Sequence, residues 1–575
     1  MQVKVISDIL NEIGALLEIK GENPFKSKAY YNAARVISGI EDLDTIIKNR
    51  ELKKIKGIGD AIASKIEEYV RTGSIEYLES LKKEIPPSLL ELLEVPNLGP
   101  KKIKILYDTL GITNLGELEY ACRENRLITL PNFGEKTQEK ILKGIEFLKR
   151  HKGEYLLGDA YPQAQGIKEK LLKIISEENI EVCGSIRRKK EVVRDIDILV
   201  ATSEHESITK FFITLPEIEE VLLTGDTKTS CRLKTGIEAD LRIVEKTSFP
   251  YAVMYFTGSK EHNVRLRSIA KAKGLKLNEY GLFEGENIIK CSSEEAIYEV
   301  MGLEFIPPEL REDMGEIEAA MEKKIPQLIK LSDIKGIFHI HSDFSDGIDT
   351  IEKLSIKAKE MGMSYIGISD HSKSAYYARG LKNDDILRQW EIIDTLNKNT
   401  HDFYIFKGIE SDILPDGSLD YNEEILKGFD FVIASIHSSF NMKKDEMEKR
   451  IIKAIENPYT TMLGHPTGRL LLSRDGYSVD IKMIIDACAT HHVIIELNAN
   501  PYRLDLDWRY LKYAREKGVL ISVNPDAHSS DGFYDICYGV GIARKGWLET
   551  KDILNAKTLN DIKDTLFHLK RLKGI

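Results

Sequence analysis

From about residue 334 onward, seven short apolar runs recur, each followed by a helix-length segment. They read GIFHIH, SYIGISDH, FYIFKGIES, FVIASIH, TMLGHP, VIIELNANP and VLISVNPDAH. Short apolar, β-branched runs of this kind suit strands buried on both faces, and strands alternating with helices pair in parallel. Seven units in succession predict a barrel of parallel strands with helices outside. Many of the runs end on a histidine or an acid. His339 and His341 share one strand face, and Asp346 follows soon after. His371, Glu410, His437 and His465 close later runs, and Asp526 and His528 close the last. A lone histidine at such a place is more often core or surface than ligand. Nine candidates at strand C-termini, where reactive groups of such barrels collect, point instead to metal. Imidazole and carboxylate without thiolate suit Zn²⁺, Mn²⁺ or Fe²⁺, and nine ligands exceed one ion's shell, so two or three ions are expected. Such a cluster turns water into hydroxide near neutral pH and polarises a phosphate ester.

With 575 residues, several domains are expected. The start has no apolar core of signal-peptide type, and no run approaches the length of a membrane span. Six cysteines with no CxxC pair suit a reducing cytosol, so a cytoplasmic protein is expected. Net charge is −10, which by itself argues against nucleic acid. Two local basic stripes, IRRKK and GSKEHNVRLRSIAKAKGLK, counter it; either alone reads as a solvated face.

The first 150 residues read as short helices with an internal repeat. LKKIKGIGDAIASKIEEYV, LLEVPNLGPKKIKILYDTL and LITLPNFGEKTQEKILKGI share one grammar: a turn with glycine, then a new helix. Gly57, Gly59, Gly99 and Gly134 bring backbone N–H groups close to a phosphate at the next helix N-terminus. Such helix-hairpin-helix units grip one strand's backbone without reading bases. Lys101, Lys102 and Lys136 follow the turns, and Glu135 marks a departure in the third unit.

In RDIDILV, Ile196, Ile198 and Val200 form one buried strand face. Asp195 and Asp197 then point together on the other face, where they repel unless something positive lies between them. EADLRIV adds Asp240 on another strand. Three converging carboxylates suit two hard divalent ions, Mg²⁺ or Mn²⁺, able to activate a 3′-hydroxyl and stabilise leaving pyrophosphate. Upstream, Gly184 and Ser185 with Arg188 could hold a triphosphate. A solvated edge strand is the alternative.

GSIRR, RDIDILV, EADLRIV and YFTGS together resemble the nucleotidyltransferase palm of the family X DNA polymerases, which include DNA polymerase beta. The resemblance covers roughly residues 1 to 310. It implies Asp195, Asp197 and Asp240 as catalytic metal ligands, and Gly184, Ser185 and Arg188 as triphosphate contacts. Tyr255, Phe256 and Gly258 become the wall against the incoming sugar, Asn263 a minor-groove contact and Arg267 a contact to the template side. The N-terminal part resembles that family's lyase domain. Lys65 falls at its Schiff-base lysine and Lys26 and Tyr30 match, but Phe25 and Ala61 replace basic residues. Lys65 therefore reads as nucleophile or as plain phosphate contact.

The nine histidines and acids resemble the ligand set of the polymerase and histidinol phosphatase (PHP) domain, over about residues 334 to 575. The whole chain resembles the bacterial and archaeal family X polymerases that carry this barrel C-terminally. The resemblance implies a manganese-favoured 3′→5′ exonuclease, with 3′-phosphatase or abasic-site endonuclease activity. Glu496 and Asn498 either orient substrate or serve the structure; Arg469 and Arg503 either hold a phosphate or lie solvated. The fold class expected is multidomain α+β and α/β. Its parts are a lyase-like domain (1–85), a fingers-like helix-hairpin-helix region (86–150), a palm (151–245), a thumb (246–310), a linker (311–333) and a (β/α)7 PHP barrel (334–575). Partners expected are gapped or nicked DNA and dNTPs, with the protein a monomer. One rival is a histidinol-phosphatase-like enzyme for small molecules, with a non-catalytic DNA-binding N-terminal half. Another is a non-catalytic DNA-end scaffold.

Overall fold

The computed structural model describes every residue except 1, 39, 41, 42, 50, 97, 129, 132, 150–152 and 401. The chain forms two compact units, Met1–Lys149 and Arg150–Ile575. The domain boundary expected at 150/151 lies outside the described residues. Among the described residues no helix is long and apolar enough to cross a membrane.

The first unit is helical. Its longest helices are Gln2–Lys20, Pro24–Ser38, Asp60–Thr72, Pro100–Leu110 and Glu135–Lys149. Their apolar faces, including Leu10, Leu16, Ile37, Ile66, Leu106, Leu118 and Ile141, close over one buried core. Local signals set the ends: the Asn114 side chain accepts from Glu117 N and starts the helix Leu115–Arg123.

The second unit opens with a five-stranded sheet. Its spatial order is Ile180–Val182, Asp195–Ala201, Glu238–Val244, Lys228–Leu233, Ile218–Thr224. Asp195–Ala201 and Glu238–Val244 run parallel, with Asp197 opposite Asp240; the other pairs are antiparallel. Ile196, Ile198 and Val200 pack in one core with Ala160, Ala164 and Ile167 of the helix Leu157–Leu171. This burial leaves the alternate positions, the aspartates, on the opposite face. Two helices, Phe249–Thr257 and Lys260–Ala272, and a three-stranded antiparallel sheet of Leu275–Asn278, Gly281–Glu284 and Asn287–Ile289 follow.

The stretch read as a linker is folded into this part. Arg311 and Glu316 are fully buried, and Ile317 and Ala320 join the core of the preceding helices. Two of its charges are paired inside, while Glu318, Glu322, Lys323, Lys324 and Lys330 are exposed. Arg311 donates to Glu294 Oε1 at 2.6 Å and to the Ile306 carbonyl at 2.9 Å, and Glu316 Oε1 lies 2.6 Å from His262 Nδ1. Glu294 also accepts from Arg187 at 2.7 Å. Burial pushes the Glu294 carboxyl up, but Arg311 and Arg187 overrule it and hold it at about 2.

The barrel follows. Seven strands, Gly336–Ile340, Tyr365–Ile368, Tyr404–Asp412, Phe431–Ser435, Met462–Leu463, Ile494–Asn498 and Ile521–Asn524, pair in chain order, all parallel. His341 N donates to Ala527 O at 2.9 Å and Ala527 N to His339 O at 3.2 Å, which ties the first strand to the segment after the last. Inside, the Phe338 ring lies 5.0 Å from Phe431 and 5.7 Å from Phe406 and Tyr365. The barrel docks on the sheet through the helix Ile536–Lys545. Tyr538 meets Tyr161 edge-on at 6.1 Å, and Arg544 donates to Glu309 at 2.7 Å.

Two stability predictions follow from the core and from the buried triad. Phe431→Ala should cost about 3–5 kcal/mol, the usual loss for a deleted buried ring; urea unfolding measures it, and a loss below about 1 kcal/mol would refute the packing. Glu294 has a depressed native pKa, so its stabilisation is full above its unfolded value near 4.5 and is lost as pH falls toward about 2. Glu294→Gln should flatten stability in that window and, by leaving two guanidinium groups uncompensated, cost about 3–5 kcal/mol at neutral pH.

Candidate active sites

The first site sits on the sheet face opposite the core. Asp197 and Asp240 are direct neighbours across the parallel pair, and Asp195 lies two residues before Asp197. Burial, then the charge of Asp195, raises the Asp197 carboxyl to about 7; burial and Asp240 raise Asp195. Asp240 is held by groups the sequence did not signal. Ser230 Oγ donates to its Oδ1 at 2.5 Å, and the Lys228 ammonium lies 2.7 Å from its Oδ2. Both come from Lys228–Leu233, where Ser230 is the antiparallel partner of Asp240. An ammonium already drawn to this spot is a stand-in for a cation, so the three acids fit a hard divalent ion.

The turn expected to hold a triphosphate is the short helix Gly184–Arg187. Gly184 has φ +63°, and a Cβ there would lie 2.3 Å from Asp197 Oδ2. Only glycine lets the turn press against the acid. Ser185 is half-buried. The Arg188 guanidinium is engaged: Nε donates to Glu312 Oε1 at 3.0 Å and Nη1 to the Thr257 carbonyl at 2.7 Å. Glu312, like Ser230 and Lys228, is a residue that sequence reasoning missed. Tyr255 and Phe256 close the helix Phe249–Thr257 with edge-on rings 5.2 Å apart. Asn263 donates to Tyr255 O at 2.6 Å, and a Cβ on Gly258 would lie 2.6 Å from Asn263 Oδ1. Arg267 is exposed one turn beyond Asn263.

In the helical unit, Gly59 and Gly99 cap Asp60–Thr72 and Pro100–Leu110 with the same backbone, φ −80° and −84°, and no side-chain cap. A side chain at Gly59, Gly99 or Gly134 would meet nothing within 4 Å, so internal packing does not demand glycine there. The N–H groups at such ends suit a phosphate. Gly57 sits in the first turn at φ +104°. Lys101 and Lys136 are exposed, and Lys102 lies 5.6 Å from the Phe133 ring centre. Lys65 is half-buried on Asp60–Thr72, with Nζ 4.6 Å from the Tyr77 ring centre.

The barrel brings all nine expected ligands together at the strand C-termini. Four overlapping groups can each hold an ion: His341, Asp346, His371 and His528; His339, Glu410 and His465; His339, His341 and Asp526; His371, Glu410 and His437. Glu410 is the hub. Its Oε1 lies 3.2 Å from His339 Nε2 and from His437 Nε2 and 3.0 Å from His465 Nε2, and its Oε2 lies 2.8 Å from His371 Nδ1. Among the described residues, His339 Nε2, both ring nitrogens of His341 and His371, and Glu410 Oε2 make no hydrogen bond despite full burial. Donors aimed at one another without hydrogen-bond geometry are what metal ligands look like. Burial, with His528 and His371 nearby, lowers His341 to about 3; against burial, Asp346 and Glu410 raise His371 to about 10. Three of the ligands sit in left-handed backbone: His339 at φ +56°, His465 at +22° and Asp526 at +52°. Such strain persists where the surrounding structure over-determines it.

Glu496 and Asn498 act behind this shell. Glu496 Oε1 lies 2.6 Å from His339 Nδ1, which turns Nε2 inward, and Asn498 Nδ2 donates to Asp526 Oδ2 at 2.9 Å. Asp412, unforeseen in the sequence, does the same for His437 Nδ1. Arg469 spends its donors on the Arg503 carbonyl at 2.9 Å, Asp507 at 2.8 Å and the Leu504 carbonyl, which fits a structural role; Arg503 Nε lies 3.7 Å from Asp526.

Comparison with known proteins agrees with this geometry. A helix-hairpin-helix domain model matches residues 1–75, a SAM-like helix-hairpin-helix tandem 89–146, a DNA polymerase beta thumb 252–312 and a PHP domain 338–500. The chain is 39% identical to the "DNA polymerase/3'-5' exonuclease PolX" of Bacillus subtilis over 567 residues, covering 98% of this chain and 99% of that one. It is 31% identical to the "Repair DNA polymerase X" of African swine fever virus over 154 residues, 24% of this chain and 85% of the viral one. A probable phosphatase of Thermoanaerobacter sp. (strain X514) is 28% identical over 249 residues, 41% of this chain and 96% of its own.

The geometry of the barrel cluster predicts its metal content. The protein should retain two or three divalent ions after manganese loading and desalting, and Glu410→Ala should lose at least one, read by elemental analysis. Equal content in both would rule out Glu410 as a metal ligand. Loading should also raise the melting temperature, because an ion that binds only the folded chain stabilises it.

Proposed function

The chain belongs to the family X DNA polymerases that carry a C-terminal PHP domain, and on that footing we propose how its residues divide the work. It is a DNA-directed DNA polymerase with 3′→5′ exonuclease activity that fills short gaps in DNA repair. DNA is its substrate, and both activities depend on divalent metal.

In our reading Asp195, Asp197 and Asp240 hold Mg²⁺ or Mn²⁺ and His339, His341, Asp346, His371, Glu410, His437, His465, Asp526 and His528 hold two or three ions, Mn²⁺ foremost. At the first site the ions supply charge for an attacking 3′-hydroxyl and a leaving pyrophosphate, and at the second a water made nucleophilic. The chain supplies position. Gly184 lets the triphosphate turn lie against Asp197, and Ser185 and Arg188 bind the phosphates. Tyr255, Phe256 and Gly258 wall the sugar, while Asn263 contacts the minor groove of the nascent pair and Arg267 the template side. Glu496, Asn498 and Asp412 keep the barrel's ligands in one orientation. Gly57, Gly59, Gly99 and Gly134, with Lys101 and Lys102, take the DNA backbone. Lys65 attacks an abasic aldehyde or contacts phosphate. The barrel also acts on 3′-phosphates or abasic sites, and the protein works as a monomer near the nucleoid. We divide it at the expected boundaries, with the residues after 310 joined to the thumb.

The observation that carries this reading is the register of Asp197 against Asp240 beside a glycine turn, in one unit with a nine-ligand barrel. A phosphatase for small molecules would leave the aspartate site and the helical repeats without a task. On a labelled one-nucleotide gap with Mg²⁺ or Mn²⁺, Asp197→Ala should abolish extension and keep 3′-end degradation; His341→Ala should do the reverse. Loss of both activities in either variant would mean a shared site. Borohydride should trap an adduct with abasic DNA in the native chain and not in Lys65→Ala; no adduct in either makes Lys65 a phosphate contact.

A further inference from the structure

Arg188, read above as a triphosphate contact, shares its carboxylate partner. Glu312 Oε1 accepts from Arg188 Nε at 3.0 Å and from Lys545 Nζ at 2.6 Å. Lys545 ends the barrel helix Ile536–Lys545 and is fully buried. Its ammonium also donates to the carbonyl oxygens of Arg188 at 3.1 Å and Glu309 at 3.3 Å, and lies 4.6 Å from the Trp508 ring centre. Two cations, one from each half of this unit, thus meet one carboxylate oxygen. Lys545 lies outside both sets of expected metal ligands, yet a buried ammonium is retained only where its partners compensate it.

A triphosphate that takes the Nε edge of the Arg188 guanidinium must displace it from Glu312. Without Lys545 that departure would strand a largely buried carboxylate, because the other charges at this junction are committed elsewhere. Glu309 pairs with Arg544, Glu191 faces Arg469 and Arg509, and Lys189 lies over the Tyr161 ring. With Lys545 in place, Glu312 keeps a cation after the arginine has gone.

We propose that Lys545 is a positioning residue for nucleotide incorporation: from the barrel it holds Glu312, so that Arg188 can pass from that carboxylate to the incoming triphosphate. The inference rests on the reading of Arg188 as a triphosphate contact. It makes the polymerase's affinity for dNTP depend on a side chain of the nuclease domain.

Steady-state extension of a one-nucleotide gap by the full-length chain tests it through KM for dNTP and kcat. Lys545→Met should raise KM at least about tenfold with kcat within about threefold of native. Degradation of single-stranded 3′-ends by the same preparation should be unchanged, which shows the barrel folded. Adding Glu312→Gln to Lys545→Met should restore KM, since no carboxylate is left to strand. Glu312→Gln alone should lower KM about threefold, because an amide holds the guanidinium more weakly than a carboxylate does. An unaltered KM in Lys545→Met, or a double variant as poor as Lys545→Met, would overturn the proposal and leave Lys545 a docking contact. Should Lys545→Met not fold, an unchanged or raised KM in Glu312→Gln overturns it instead. Arg188→Ala separates the two readings. If it leaves KM unchanged, the triphosphate assignment fails; if it raises KM while Lys545→Met does not, only the present inference fails.

Discussion

Repulsion between carboxylates crowded at strand ends is the constraint around which the second unit is arranged. Apolar packing creates the crowding. Burial of Ile196, Ile198 and Val200 fixes which face Asp195 and Asp197 must occupy, and each such side chain contributes about 1.5–3 kcal/mol when fully buried. That gain is enough to hold acids together that would otherwise separate. Burial first, and the charge of Asp195 after it, raise the Asp197 carboxyl to about 7. Lys228 and Ser230 relieve Asp240 in part, and a divalent ion would relieve all three. In the barrel the same tension is settled among imidazoles, with Glu410 in the middle of four of them. Both sites are therefore places where folding has stored a demand for positive charge.

The manner of docking ties the two sites together. The helix Ile536–Lys545 does not only cover apolar surface; it carries Arg544 to Glu309 and Lys545 to Glu312. Charged groups buried at such a junction give weak net stability but strict geometry, since one unpaired member is costly. The turn that presses on Asp197 is braced at Arg188 from the barrel side. The aspartate face and the histidine-rich barrel thereby share one mechanical frame.

Much of this was legible in the chain. Seven apolar runs announced seven strands, in order, and each of the nine histidines and acids at their ends reached the cluster. The helix-hairpin-helix turns and the Asp195–Asp197 pair were equally plain. These features are local: a strand's alternation, a turn's glycine and a ligand at a strand end each show within a few residues. Other features were hidden. Ser230 and Lys228 became partners of Asp240 only through antiparallel register, and nothing in TKTSCRL announces that pairing. Glu496 was open between orienting substrate and serving the structure, and only the fold puts its carboxylate behind His339. The stretch read as a linker joins the core because Arg311 and Glu316 find Glu294 and His262, 17 and 54 residues upstream, which no local signal shows.

By itself, then, the sequence determined the kinds of element, their order and the chemistry carried at strand ends, because periodicity and residue type act over short range. Tertiary structure alone decided which charge faces which: Lys228 on Asp240, Glu312 between Arg188 and Lys545, Glu294 between two arginines. The physical reason is that ion pairs form across space between segments far apart in the chain, where burial removes water and leaves each charge only the partner that packing has brought within reach.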